Sequence, residues 1–419
     1  MRKSHLAFVL ITSLFFMWGL ANNMTDTLLA AFKRILSLTD FQTSFVQSAF
    51  YGAYFCLAIP AALLIKKYSY KTGILIGLGL FILGSLLFYP ASITIEYSHF
   101  LIALFILAGG LSILETAANP YILELGPPET ATRRLNLAQA FNPIGSISGA
   151  LLSKYFILSN LNLATGEERS GMTAVQLKEI QSTELTAVMG PYVGVALVLL
   201  FLWLLIVFTK MPKIKDTNEL HMAASAGRLL SNRNYVGSVI AQFFYVGAQI
   251  GIWSFTIRYV MVELQVNEES AATYYIIALV IFLVCRFIFT YIMKWVAPAK
   301  LLCILSIIAG FLTLFAIIGS GMSGVIALLL VSGCMSLMFP TIFGLGLQHV
   351  GDDSKLGGAG LIMAIVGGAV LTSVQGQISD LTGSINMAFL VPFCCFIIVA
   401  IYGFLAGRLT PVSVKSGSQ

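Results

Sequence analysis

Charge is scarce in this chain. Of 419 residues, 10% are Asp, Glu, Lys or Arg, whereas a soluble domain carries about 25%. Hydrophobic residues make up 58%. A single water-soluble core stops growing near ~250–300 residues and cannot bury that much apolar surface. Soluble enzymes and nucleic-acid binders are excluded on that ground, and no nucleic-acid partner is expected. Cysteine is sparse too. Cys56, Cys285, Cys303, Cys334, Cys394 and Cys395 lie in apolar stretches, with no His or acid at metal-ligand spacing. Neither a disulfide framework nor a metal centre is expected. No GxxxxGK[ST] phosphate loop occurs, and neither a cofactor nor catalytic residues are expected. The short alternating strands of an outer-membrane barrel are missing as well.

What the chain has is long apolar runs, which predict an all-α polytopic membrane protein. We read twelve spans, at 6–30, 43–65, 73–91, 99–122, 137–159, 191–209, 235–261, 271–295, 300–320, 323–350, 356–380 and 385–407. Arg2-Lys3 followed by an apolar stretch and Gly19-Leu20-Ala21 imitates a signal peptide, but the apolar character continues and eleven further spans follow. Alternating the gaps from a cytoplasmic N-terminus puts most of the 24 Lys and Arg inside, among them Lys66, Lys67, Lys71, Arg133, Arg134, Lys210, Lys213, Lys215, Arg228 and Arg233. Positive loops mark the cytoplasmic face, so both termini are expected there. The polar stretch 211–234 separates a first half, 1–210, from a second, 235–419. The outer stretch 160–188, with Glu167, Glu168, Glu179 and Glu184 against Arg169 and Lys178, reads as a solvated loop with some helix. Phe15-Phe16-Met17-Trp18-Gly19 opens span 1, and Phe243-Phe244-Tyr245-Val246-Gly247 opens span 7. With six spans on each side, this suggests a parallel repeat and a substrate site near mid-bilayer between the halves.

Two acids, Asp26 and Glu115, fall inside spans, where a carboxylate costs ~2.5–3.5 kcal/mol on insertion scales. Such groups either face a cavity and carry protons or ligands, or are buried neutral acids held by hydrogen bonds. Their neighbours favour a cavity. Trp18, Asn22 and Asp26 share one helical face, with Asn23 beside them, and Glu115 and Asn119 share another. Span 5 adds Gln139, Asn142 and Ser146. Span 7 adds Gln242, Tyr245, Gln249 and Trp253. One such stripe serves equally well as interhelical glue; four stripes of amides and aromatics suit a neutral, polyhydroxylated ligand. Amides donate and accept, as hydroxyls do, and aromatic faces cover the C–H face of a sugar ring. An anion would need converging cations, yet Arg258 and Arg286 read as lying toward span ends. Lys154 either snorkels outward or pairs with an interior acid. Aligning the halves sets Asp26 against Ser254 and Glu115 against Met338, so proton handling is expected in the first half alone.

Several stretches resemble the L-fucose permeases of the major facilitator superfamily. They are Phe15 to Asp26 (Phe-Phe-Met-Trp-Gly-Leu-Ala-Asn-Asn-Met-Thr-Asp), Leu114-Glu115-Thr116-Ala117-Ala118-Asn119-Pro120, Arg134 to Asn142, Tyr245 to Gln249 with Trp253 and Arg258, and Phe339-Pro340-Thr341-Ile342-Phe343. The resemblance covers nearly the whole chain. It implies a twelve-helix fold in a bacterial inner membrane, alternating access and fucose–proton symport by a monomer. It places the family's two essential acids on Asp26 and Glu115. Its cavity amides fall on Asn22, Asn23, Gln139 and Asn142. Thr25 stands where the family often has Asn, and Cys285-Arg286-Phe287 where Gly-Arg-Phe is usual. Relatives in the same subfamily carry glucose, galactose or N-acetylglucosamine, and the Ala-Asn-Asn run favours fucose. Two rivals differ in kind. An exporter of drugs or metabolites calls for a larger apolar cavity, and a sugar sensor for a sizeable signalling domain.

Overall fold

Backbone amides in hydrocarbon must find partners within their own segment, so apolar runs of this length fold as helices. The computed structural model describes residues 2–36, 40–157, 169, 171–212 and 222–409. Within its helices, the side chains of 2–5, 25–34, 40–44, 47, 48, 154, 157, 187, 188, 268, 269 and 409 are not described. The helices are α1 (Arg2–Ile35), α2 (Asp40–Lys67), α3 (Tyr70–Thr94), α4 (Tyr97–Glu124), α5 (Ala131–Gln139), α6 (Phe141–Leu152), α7 (Ala174–Phe208), α8 (Met222–Ser231), α9 (Arg233–Leu264), α10 (Glu268–Ile292), α11 (Pro298–Ile318), α12 (Gly321–Met335), α13 (Met338–Gly346), α14 (Ser354–Met363), α15 (Gly367–Thr382), α16 (Ile385–Ala388) and α17 (Leu390–Leu409). Among the described residues, eleven helical stretches are long and apolar enough to cross a membrane.

Three expected spans are broken rather than continuous. The one at 137–159 breaks at Ala140, between α5 and α6, and ends in a π turn at Ser153–Ile157. That at 323–350 breaks at Ser336-Leu337, between α12 and α13, and that at 356–380 passes through a 3₁₀ turn at Ala364–Val366. Prolines account for the first two. A proline has no N–H for the carbonyl four residues earlier, so Pro143 abandons Gln139 and Pro340 abandons Ser336. The stretch 160–188 also departs from expectation. Helix α7 begins at Ala174, with Thr173 and Gln176 forming a reciprocal capping box. Arg169 and Glu184, read as loop charges, form a buried two-pronged ion pair at 2.9 and 2.6 Å.

The chain divides into two compact units. One comprises Met1–Leu125 and Phe141–Asp216, the other Gly126–Ala140 and Thr217–Gln419. In the first unit, α1 and α6 cross with their backbones in contact. A Cβ on Gly19 would overlap the Asn142 carbonyl, and one on Gly145 would overlap that of Phe16. Lys71, at the start of α3, donates to the Val207 and Thr209 carbonyls at 2.9 and 2.8 Å, so one of the counted basic residues closes the end of α7. In the second unit, Asn232 caps α9 by accepting the Asn234 and Tyr235 N–H groups. At the far end of α9, Glu263 takes the Gly321 N–H at 2.5 Å and the Asn386 amide at 2.7 Å. Arg228 on α8 holds Asp353 through bonds of 2.8 and 2.7 Å. Those bonds raise the guanidinium pKa above its ordinary value.

Candidate functional site

In the first unit, Glu115 lies against Tyr54 and, through it, Trp18. The Glu115 side chain is 2% exposed on α4. Its Oε1 accepts the Tyr54 hydroxyl at 3.0 Å, and its Oε2 has no hydrogen-bond partner among the described residues. The neighbouring backbone is tied to the same tyrosine, because Ser112 donates to the Tyr54 carbonyl at 3.2 Å. The indole of Trp18 stands close to Tyr54 and stacks on Phe15 at 5.8 Å between ring centres. The Oδ1 of Asn22, one turn further along α1, is buried and has no partner among the described residues. Asn23 is half-buried, and Asn119, one turn beyond Glu115, is fully buried. Asn142 is half-buried where α6 meets Gly19. Asp26 and Lys154 have side chains outside the described residues, so their placement is not part of this geometry.

Buried polar atoms in native proteins are nearly always paired. An acceptor on Asn22 and a carboxylate oxygen on Glu115, buried without partners among the described residues, match a ligand that gives hydrogen bonds. Hydroxyl groups do so. Tyr54 was not legible as a site residue. It lies among Phe50, Tyr51 and Phe55 in an apolar span, and its partner is sixty-one positions away.

In the second unit the expected contacts fall into two groups. Gln249 and Trp253 are half-buried on α9. Trp253 donates to Ser332 at 3.3 Å and packs edge-on to Phe282 at 5.0 Å. Tyr245 is fully buried, and its hydroxyl is taken up by the scaffold. It donates to the Met335 carbonyl at 3.0 Å and faces the Phe339 amide, standing inside the break between α12 and α13. Gln139 is buried at the end of α5. Gln242, with no exposure, buries both amide atoms without a partner among the described residues. Arg286, read as lying toward a span end, is buried inside its unit. It is 3% exposed, lies over Phe282 at 4.8 Å, and donates to the Ser336 carbonyl through Nε and to the Gln139 carbonyl at 2.9 Å through Nη1. A cleft of about 450 Å³ further along α9 is lined by Arg258, Val262, Asp380 and Asn386 among others. None of the residues expected to touch sugar lines it.

Described residues that are helical, with eleven crossing-length stretches among them, a twelfth run broken at Ala140 and buried acid and amide groups, have the character of a secondary transporter. The chain belongs to the Major Facilitator Superfamily, whose model matches residues 9–355, and it has the twelve-helix fold of that family. It is 41% identical to an L-fucose-proton symporter of Haemophilus influenzae over 421 residues, 97% of this chain and 98% of that protein. It superposes on the crystal structure of the transporter FucP in the outward conformation with a TM-score of 0.90 at 40% identity, covering 97% of this chain and 99% of that one. A glucose/galactose transporter of Brucella abortus is 34% identical over 400 residues, 95% of this chain and 93% of that protein.

Proposed function

We propose that this chain carries L-fucose into the cell together with a proton, by alternating access. It is a transporter and not an enzyme. The observation that carries the reading is the cluster around Glu115, in a chain 41% identical to an L-fucose-proton symporter over almost its full length. A low-dielectric surrounding disfavours a charged carboxylate, so protonation and occlusion favour one another. A protonated, loaded carrier holds no ionised carboxylate at Glu115 and changes face readily. A deprotonated one must drag an ion through a dry intermediate. In this scheme Glu115 contacts the sugar and takes the proton, and Asp26 binds or relays it. Asn22, Asn23, Asn119, Gln139, Asn142 and Gln249 contact hydroxyls, with Trp18 and Trp253 against the ring. Tyr245 contributes its ring face, because its hydroxyl is committed to Met335. The second unit supports this division of labour. Met338, aligned with Glu115, is fully buried, and Asp353 is the one buried acid among that unit's described residues.

The carrier works in the bacterial inner membrane as a monomer embedded in lipid, with both termini in the cytoplasm. A membrane potential supplies ~2.3 kcal/mol per 100 mV per charge, enough for accumulation of order 10². Symport of another neutral hexose is the second reading, favoured by the glucose/galactose transporter at 34% identity. Uptake of labelled L-fucose into vesicles, with galactose and glucose as competitors, separates the two. The fucose reading expects unlabelled fucose to compete at least tenfold better than either. Equal or stronger competition by glucose or galactose transfers the assignment to that sugar.

A further inference from the structure

Two carbonyls abandoned by prolines meet one cation. Pro143 leaves the Gln139 carbonyl without its helical donor, and Pro340 does the same to Ser336. An unpaired carbonyl in the interior is costly, so both demand an outside donor. Arg286 serves both: Nε donates to the Ser336 oxygen, and Nη1 to the Gln139 oxygen at 2.9 Å. The pairing also accounts for a buried charge. Among the described residues no carboxylate pairs with Arg286. Its counter-charge is instead the negative ends of two helices, α5 and α12, which stop at Gln139 and Met335. Lysine could not replace it, since one ammonium lacks the rigid fork that reaches two separate acceptors. Tyr245 completes the arrangement by occupying the adjacent Met335 carbonyl at 3.0 Å.

We propose that Arg286 is a positioning residue for sugar binding. By clamping the Gln139 and Ser336 carbonyls it fixes the end of α5 and the break between α12 and α13, and with them the direction of the Gln139 amide. The guanidinium itself touches no ligand. This rests on the sugar-symport reading above, and it gives that reading a residue without which Gln139 is misaimed.

The test measures KM and Vmax per folded carrier for wild type, Arg286→Lys and Pro143→Ala, with melting temperature followed by intrinsic fluorescence. The lysine keeps the charge and loses the fork. The alanine gives Gln139 an ordinary helical donor and withdraws its carbonyl from Arg286. Both variants are expected to raise KM at least tenfold with Vmax within about threefold of wild type, a split that general loosening of the fold would not produce. Wild-type KM in a folded Arg286→Lys protein overturns the proposal. Should that variant not fold, wild-type KM in Pro143→Ala overturns it equally. The measurement runs with fucose, galactose and glucose, so a carrier that takes only a different hexose corrects the substrate and still tests Arg286. Binding of none of the three removes the symport reading and this inference together.

Discussion

A carboxyl group held by one phenol and without another partner among the described residues is an unusual object inside an apolar helix bundle, and Glu115 is such an object. Its hydrogen bond from Tyr54 fixes the direction of one oxygen and leaves the other available. Replacing Tyr54 by Phe strands a buried acceptor, which costs about 1–3 kcal/mol; a lower melting temperature in detergent is the expected readout. Asn22 offers its open Oδ1 to the ligand. Asn22→Ala is expected to remove one hydrogen bond of about 1.4 kcal/mol, raising the KM for fucose about tenfold with little change in melting temperature. Glu115 and the Trp18–Asn22 face were legible in the chain because an acid in an apolar run is conspicuous and helical spacing shows which residues share a face. Tyr54 and Arg286 were not. A tyrosine among aromatics carries no periodic signal, and nothing local to Arg286 points to carbonyls that only the folded chain brings to it.

The elements owe their positions to small residues and to partners for exposed helix ends. Gly19 and Gly145 let α1 and α6 touch, which sets Asn142 beside the stripe that carries Asn22. Gly145→Val forces the two backbones apart. It is expected to cost at least the 1–3 kcal/mol typical of overpacking, and transport falls with the melting temperature. The Arg169–Glu184 pair ties the segment before α7 to a point nearly three turns along that helix. Glu184→Gln removes the carboxylate charge facing a buried guanidinium and is expected to destabilise the carrier by about 3–5 kcal/mol, visible as a lower midpoint in thermal unfolding. Long helices such as α3, α4 and α9 were readable from apolar length alone. The breaks at Ala140 and Ser336-Leu337 were readable only in part. Pro143 and Pro340 announce a kink, but the chain alone does not say whether a neighbour will accept the freed carbonyls and let the helix come apart.

For the whole molecule, the distribution of basic residues argues for cytoplasmic termini. A fluorescent protein fused to the C-terminus is expected to mature in the cytoplasm, and a phosphatase fused there to remain inactive; the reverse pattern would invert the topology. The central claim is that one buried acid binds a proton and a neutral sugar together. The direct measurement is uptake of labelled L-fucose into vesicles under an imposed proton gradient, comparing wild type with Glu115→Gln and each with a protonophore. The account predicts wild-type accumulation of order 10² that collapses with the gradient, and mere equilibration by the glutamine variant. A Glu115→Gln carrier that concentrates fucose at the wild-type rate, or a wild type indifferent to the gradient, would contradict it.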